Sequence, residues 1–162
     1  MTLHDRNHHT EITTTMATAT TIDSEIPVSP GEGRYLCGIL SKSLRGDPPV
    51  TNGALAASLD VSGASVSEMI EGFDDRELVS YAPYEGAELT EEGERVARMI
   101  LWRRCTVQQF FEDEAAISLT DDQAYRIANE LEAEDLRTLG HLVGQDCVDR
   151  CEATDVSDCE GL

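Results

Sequence analysis

Apolar residues along this chain fall mostly into helical periods, interrupted once by a short alternating stretch. Tyr35, Leu36, Ile39, Leu40 and Leu44 recur at three- and four-residue steps behind Ser29-Pro30. That spacing makes one apolar stripe, and a serine cap with proline at the first helical position opens a helix from about Pro30 to Leu44. Pro48-Pro49 closes this segment. Thr51-Asn52 then caps a short helix over residues 54–59, and Asp60-Val61-Ser62-Gly63 is a turn. A second helix over residues 64–75 places Val66, Ile70 and Phe73 on one face, with Ser62 as its cap. The rhythm then shortens. Leu78 to Tyr81 and Ala87 to Leu89 read as two strands around the turn-rich Pro83-Tyr84-Glu85-Gly86. Helical spacing returns from Glu91 to about Phe111, burying Val96, Met99, Ile100, Val107, Phe110 and Phe111. It continues over residues 120–131 and 135–143. The fold class is mainly α: a winged helix-turn-helix followed by an all-helical dimerisation module. The expected divisions are an arm over 1–28, a winged unit over 29–98, a helical dimerisation and effector unit over 99–144, and an acidic tail with cysteines over 145–162.

Helix, turn, helix and wing in this order predict binding of double-stranded DNA. The outward face of the second helix begins with small and hydroxyl-bearing residues that can approach a groove floor, as this motif requires. Ser62, Ala64, Ser65, Ser67 and Glu68 are the candidate base-reading residues. Glu68 can accept a hydrogen bond from cytosine but repels phosphate. Arg76, Tyr84 and Arg95 are candidates for backbone contacts. A homodimer would present two such helices to a palindromic operator. The alternatives are a winged helix used only for protein contacts, and a regulator that has lost its effector site.

Four stretches in order carry a family resemblance: GRYLCGILSKSL, the winged unit, LTEEGERVARMILWRRCTVQQFF, and DDQAYRIANELEAEDLRTL. Together they resemble the diphtheria toxin repressor family of metal-dependent transcriptional regulators, which includes the manganese transport regulators, over roughly residues 30–143. The segment after residue 144 is too short for the SH3-like domain that some members append. The resemblance implies metal ligands at the start of the first helix, in the long helix and in the helix after it. At those places this chain has Arg34, Cys37, Cys105, Gln109, Tyr125, Asn129, Glu132 and Ala133. Only Glu132 keeps the family's residue type, so an imidazole and carboxylate site for manganese is not expected.

Sulfur remains. Cys105 stands at a ligand position, and Cys147, Cys151 and Cys159 lie in the tail DCVDRCEATDVSDC, which can fold back over the long helix. Thiolates favour zinc, copper or iron over manganese. The candidate effector set is Cys105, Glu132, Cys147, Cys151 and Cys159, holding a transition metal (zinc, iron or copper) or acting by disulfide exchange. Cys37, beside the apolar stripe, reads as core.

Charge sets the environment. The net charge is −20, and only Lys42 among the twelve basic residues is a lysine. Residues 105–162 hold fifteen acidic and three basic residues, and residues 34–104 hold twelve and eight. Such acidity suits molar intracellular salt, where repulsion is screened within about 3 Å, and marks the chain as halophilic. Arg76, Arg95, Arg98, Arg103 and Arg104 are expected to form basic islands facing phosphates. The threonine-rich start, with His4, His8 and His9, has the composition of a disordered arm and lacks a signal peptide's pattern. No stretch is apolar enough to span a membrane, so the chain is placed in the cytoplasm with reduced cysteines. No catalytic motif is present, and His141 reads as a solvent-facing residue near a helix end, so the chain is not read as an enzyme.

Overall fold

The computed structural model describes residues 26–46 and 48–159. Most of the expected arm, with its three histidines, lies outside the described residues. Six α-helices and one hairpin follow the order anticipated: α1 (Pro30–Leu44), α2 (Asn52–Leu59), α3 (Gly63–Asp75), β1 (Val79–Ala82), β2 (Gly86–Leu89), α4 (Glu91–Ala115), α5 (Asp121–Glu130) and α6 (Ala133–Leu142). The tail adds a single 3-10 turn at Val156–Asp158.

The first five helices each start on a hydroxyl. The side chains of Ser29, Thr51, Ser62, Thr90 and Thr120 accept a backbone N–H from the first turn of the helix they open. Each such cap is worth about 1 kcal/mol. The hairpin is antiparallel, pairing Val79 with Leu89 and Ala82 with Gly86. The long helix runs four residues past the expected Phe111, because Glu112, Asp113 and Glu114 tolerate helix and nothing breaks it before Ala116 turns left-handed.

One core joins the two expected modules. Val66, Ile70 and Phe73 of α3 pack with Leu55 of α2, Leu36, Ile39 and Leu40 of α1, and Val96, Ala97 and Leu101 of α4. Tyr125 of α5 and Cys151 and Ala153 of the tail belong to the same cluster. A second cluster holds Trp102, Val107, Ala124, Ala128 and Leu136. The α4 helix crosses residue 98, the expected boundary, without interruption.

Two expectations change. Val28 is buried in the core and Pro27 accepts a hydrogen bond from Arg76, so ordered packing begins before residue 29. Met99, Phe110 and Phe111 are only half-buried, because in a single chain that side of α4 lacks a full cover.

Gly93 explains the small residue in the LTEEG step. A Cβ there would stand 1.7 Å from the Leu78 carbonyl oxygen, so α4 can meet the start of the wing only through a glycine. Gly72, by contrast, has nothing within 4 Å. Gly93→Ala should therefore lower stability by several kcal/mol, while Gly72→Ala should raise it by about 0.5–1 kcal/mol. Chemical denaturation of the two variants checks both signs.

Candidate functional site

The start of α3 is built as the sequence suggests. Ser62 caps it by accepting from Ser65 N–H at 3.1 Å, and the two hydroxyls hydrogen-bond at 2.9 Å. Ser62, Ala64, Ser65 and Glu68 are exposed, so a groove floor could meet them directly. Ser67 is different. It is half-buried and accepts from Asn52 Nδ2 at 3.1 Å, which fixes α2 against α3. Tyr84 projects from the tip of the wing, fully exposed, with a backbone φ of 70°. A bulky side chain held at positive φ is an uncommon, strained conformation, and such strain concentrates where a surface is used.

The expected basic islands are not there. Arg76 pairs with Glu32 at 2.6 Å and stacks 5.9 Å from the Phe73 ring centre, fastening α3 to the start of α1. Arg98 donates to the carbonyls of Cys151 (3.0 Å) and Ala153 (2.8 Å). Arg103 donates to the carbonyls of Ala128 (2.9 Å) and Leu131 (2.5 Å) at the end of α5. Arg104 is buried and pairs with Asp121 at 3.2 Å. Arg76 and Arg95 stay exposed, each held by a carboxylate, Glu32 and Glu92. The physical reason is local: the last carbonyls of α5 lack helical partners, and buried guanidinium donors satisfy them.

The tail lies across α4, as anticipated. Trp102 Nε1 donates to the Cys147 carbonyl (3.1 Å), and Cys151 N–H donates to the Arg98 carbonyl (2.9 Å). Cys151 and Cys159 come within electrostatic reach of Cys105. Burial pushes the Cys37 thiol up to about 12 and the Cys105 thiol up to about 11, and burial also raises Cys151. Arg104 lies at the centre of this region. It donates to Cys105 Sγ (3.7 Å) and stacks 5.7 Å from the Tyr125 ring centre. Burial opposes its charge, but Tyr125, Cys105 and Asp121 more than offset that and hold it firmly protonated.

Comparisons with known proteins agree with this geometry. Residues 33–87, from α1 to the second wing strand, match the model of the iron dependent repressor N-terminal DNA-binding domain. The HTH-type transcriptional regulator MntR of Oceanobacillus iheyensis is 26% identical over 97 residues, 60% of this chain and 58% of that protein. The MntR of Geobacillus kaustophilus is 25% identical over 96 residues, 59% of this chain and 60% of that protein. The chain thus spans less than two thirds of the length of these relatives. Over residues 33–87 this chain is similar to the iron dependent repressor DNA-binding domain. Among solved structures, T. acidophilum IdeR superposes with a TM-score of 0.62 at 24% identity, covering 74% of this chain and 55% of that one. A manganese-dependent transcriptional repressor in complex with manganese superposes at 0.59 with 21% identity, covering 70% and 53%. Both share the fold of the winged unit and helical module.

Some of these similar proteins are named for iron or manganese, and a comparable site would need metal donors brought together. Cys37, Cys105 and Tyr125 do converge, but around the fixed positive charge of Arg104, and both thiols are neutral at ordinary pH. Gln109 instead donates to the Val143 carbonyl (3.3 Å), and Glu132 is exposed at the N-cap of α6, facing Arg103. Among the described residues no three of histidine, cysteine, aspartate and glutamate stand together as a metal site would require. Among the described residues, the set Cys105, Glu132, Cys147, Cys151 and Cys159 does not come together to fit a divalent ion. Sequence reasoning missed the role of Arg104 because it counted arginines as surface cations.

Neutral thiols are poor nucleophiles. Native protein should react slowly with a disulfide reagent at pH 7, and Arg98→Ala, which releases the tail, should accelerate labelling of Cys151 severalfold. Because the folded state raises the Cys37 and Cys105 values above their ordinary 9.0, the stability tied to them is complete below pH 9. It is lost as pH climbs towards about 11, which denaturant midpoints at pH 8 and 10.5 will show.

Proposed function

We propose that this chain is a DNA-binding transcriptional regulator, a repressor that acts as a homodimer on a palindromic operator. The observation that carries this reading is the exposed, small and hydroxyl-rich start of α3 beside the projecting Tyr84 of the wing. A duplex groove accepts that shape, whereas a protein-binding groove would require an apolar face. Dimerisation through the helical module is supported by the half-buried Phe110 and Phe111 and by exposed Ile117, Leu142 and Val148. Apolar groups left open in one chain are covered in a pair. Among the described residues no helix is long and apolar enough to cross a membrane. A promoter target places the protein in the cytoplasm, and its charge suits molar salt.

Few cations are left to face DNA, so affinity rests less on counterion release than in ordinary binders. The slope of log affinity against log salt, about −0.9 per neutralised phosphate, should be shallow, and binding should persist in molar potassium chloride. Glu68→Ala should alter preference at one base pair of a selected operator and raise affinity for random DNA. Ser65→Asp should weaken operator binding tenfold or more with an unchanged melting temperature. Mobility shifts on a selected duplex read all three, and failure to shift any duplex at any salt would sink the proposal.

The docked tail favours a second reading, in which oxidation joins Cys105 to a tail cysteine. A peroxide would take up the two electrons and two protons released as two thiols become one disulfide. The neutral state of Cys105 makes this slow. Mass spectrometry after peroxide treatment should find either a link through Cys105 with altered DNA affinity, or no such link, which would dismiss the switch.

A further inference from the structure

The cleft between α1, the end of α2 and the start of α5 has a charge opposite to that of the molecule. Its volume is about 420 Å³, within the range of small-molecule sites. Arg34, Lys42, Arg45 and Arg104 line it, against Asp121 and Asp122. Four of the chain's twelve basic residues, including its one lysine, thus meet in a single concavity of a chain whose net charge is −20. The two carboxylates do not balance the four cations. Asp121 is engaged with Arg104, and Asp122 pairs with Arg126 outside the cleft. Arg34, Lys42 and Arg45 form no ion pair with any described residue. Arg34 and Lys42 of α1 and Arg45 at its C-cap fall on one side of the helix, a stripe hidden by the overall acidity. Ser41 adds a hydroxyl to the same wall, beside Ser58, whose O–H is donated to the Leu55 carbonyl at 2.9 Å.

We propose that this cleft is an anion site for a small phosphorylated molecule, in place of the divalent ion that the family's helical module implies. Cations that converge on one concave surface need a counter-charge, and a phosphate group matches guanidinium forks two bonds at a time. A duplex backbone is the less fitting source of that phosphate, because Arg34 is half-buried and Arg104 is buried within the cleft. The inference rests on the reading of the chain as a regulator only for what binding would control; binding itself is independent of DNA.

The test is calorimetry with inorganic phosphate and with pyrophosphate, at fixed ionic strength set by potassium chloride and without DNA. The expected result is saturable binding that weakens tenfold or more in the double variant K42Q/R45Q. It should be kept in R137Q/R150Q, which removes the same charge elsewhere. Circular dichroism confirms that both variants fold. Absent saturable binding, or equal weakening in both variants, would overturn the site. So would saturable Mn²⁺ binding abolished by Asp121→Asn, which would make the cleft a cation site. A duplex that displaces phosphate and itself loses affinity in K42Q/R45Q would assign the cleft to DNA instead. Where phosphate binds and no duplex does, the site stands and the regulatory reading fails.

Discussion

Buried and half-buried arginine side chains on α4 hold the two halves of this molecule together. The α4 helix is the one element that touches the wing, α5, α6 and the tail, and its Arg98, Arg103 and Arg104 reach outward to backbone carbonyls or to Asp121. Their energetics are nearly balanced. A charge-assisted hydrogen bond contributes about 1.5–3 kcal/mol, while removing a guanidinium from water costs several. Arg103 Nε is buried with no partner among the described residues, which adds to the cost. What these arginines supply is placement. The fork of Arg103 sets where α5 ends, and that of Arg98 sets where the tail lies, more tightly than apolar contact alone would. Replacing either by an isosteric apolar group would leave carbonyls unsatisfied at the ends of elements, so the arrangement is held by polar accounting as much as by the core.

This use of arginine changes the electrostatics of DNA binding. Cations spent inside the fold cannot neutralise phosphates, and the surface near α3 carries Glu68, Glu71, Asp74 and Asp75. In dilute salt such a face repels a duplex. In molar salt the repulsion is screened within about 3 Å, and the remaining terms are groove contacts, shape and water. An acidic binder therefore gains relative to a basic one as salt rises.

Much of the fold was legible in the sequence. Hydroxyl caps, a stripe on each helix and turn residues at Pro83-Tyr84-Glu85-Gly86 agree with one another, and local agreement of that kind specifies a structure. The hairpin and the order of six helices needed nothing more. Less legible was anything decided by a side chain's destination. Arg76, Arg98, Arg103 and Arg104 look alike in sequence to arginines that face DNA, and only packing shows that their donors are already used. The cysteines show the same limit. Their spacing suggested a ligand set, and the tail does fold onto α4, but burial keeps Cys105 and Cys151 protonated and Glu132 faces another way.

The route from the cleft to the recognition helix is short. Arg34 lines the cleft and also donates to the Leu59 carbonyl at 2.9 Å, at the last residue of α2. Asp60 follows in a left-handed conformation, and two residues later Ser62 caps α3. A ligand that draws the guanidinium of Arg34 inward therefore competes with the bond that fixes this turn. One charged hydrogen bond of about 1.5–3 kcal/mol amounts to a bias of roughly ten- to a hundredfold between two positions of the turn, since each 1.4 kcal/mol is a factor of ten. The coupling must also be reciprocal: whatever a cleft ligand does to DNA affinity, DNA does to the affinity for that ligand. In such a coupling the fixed cation belongs to the protein and the mobile charge is the anion.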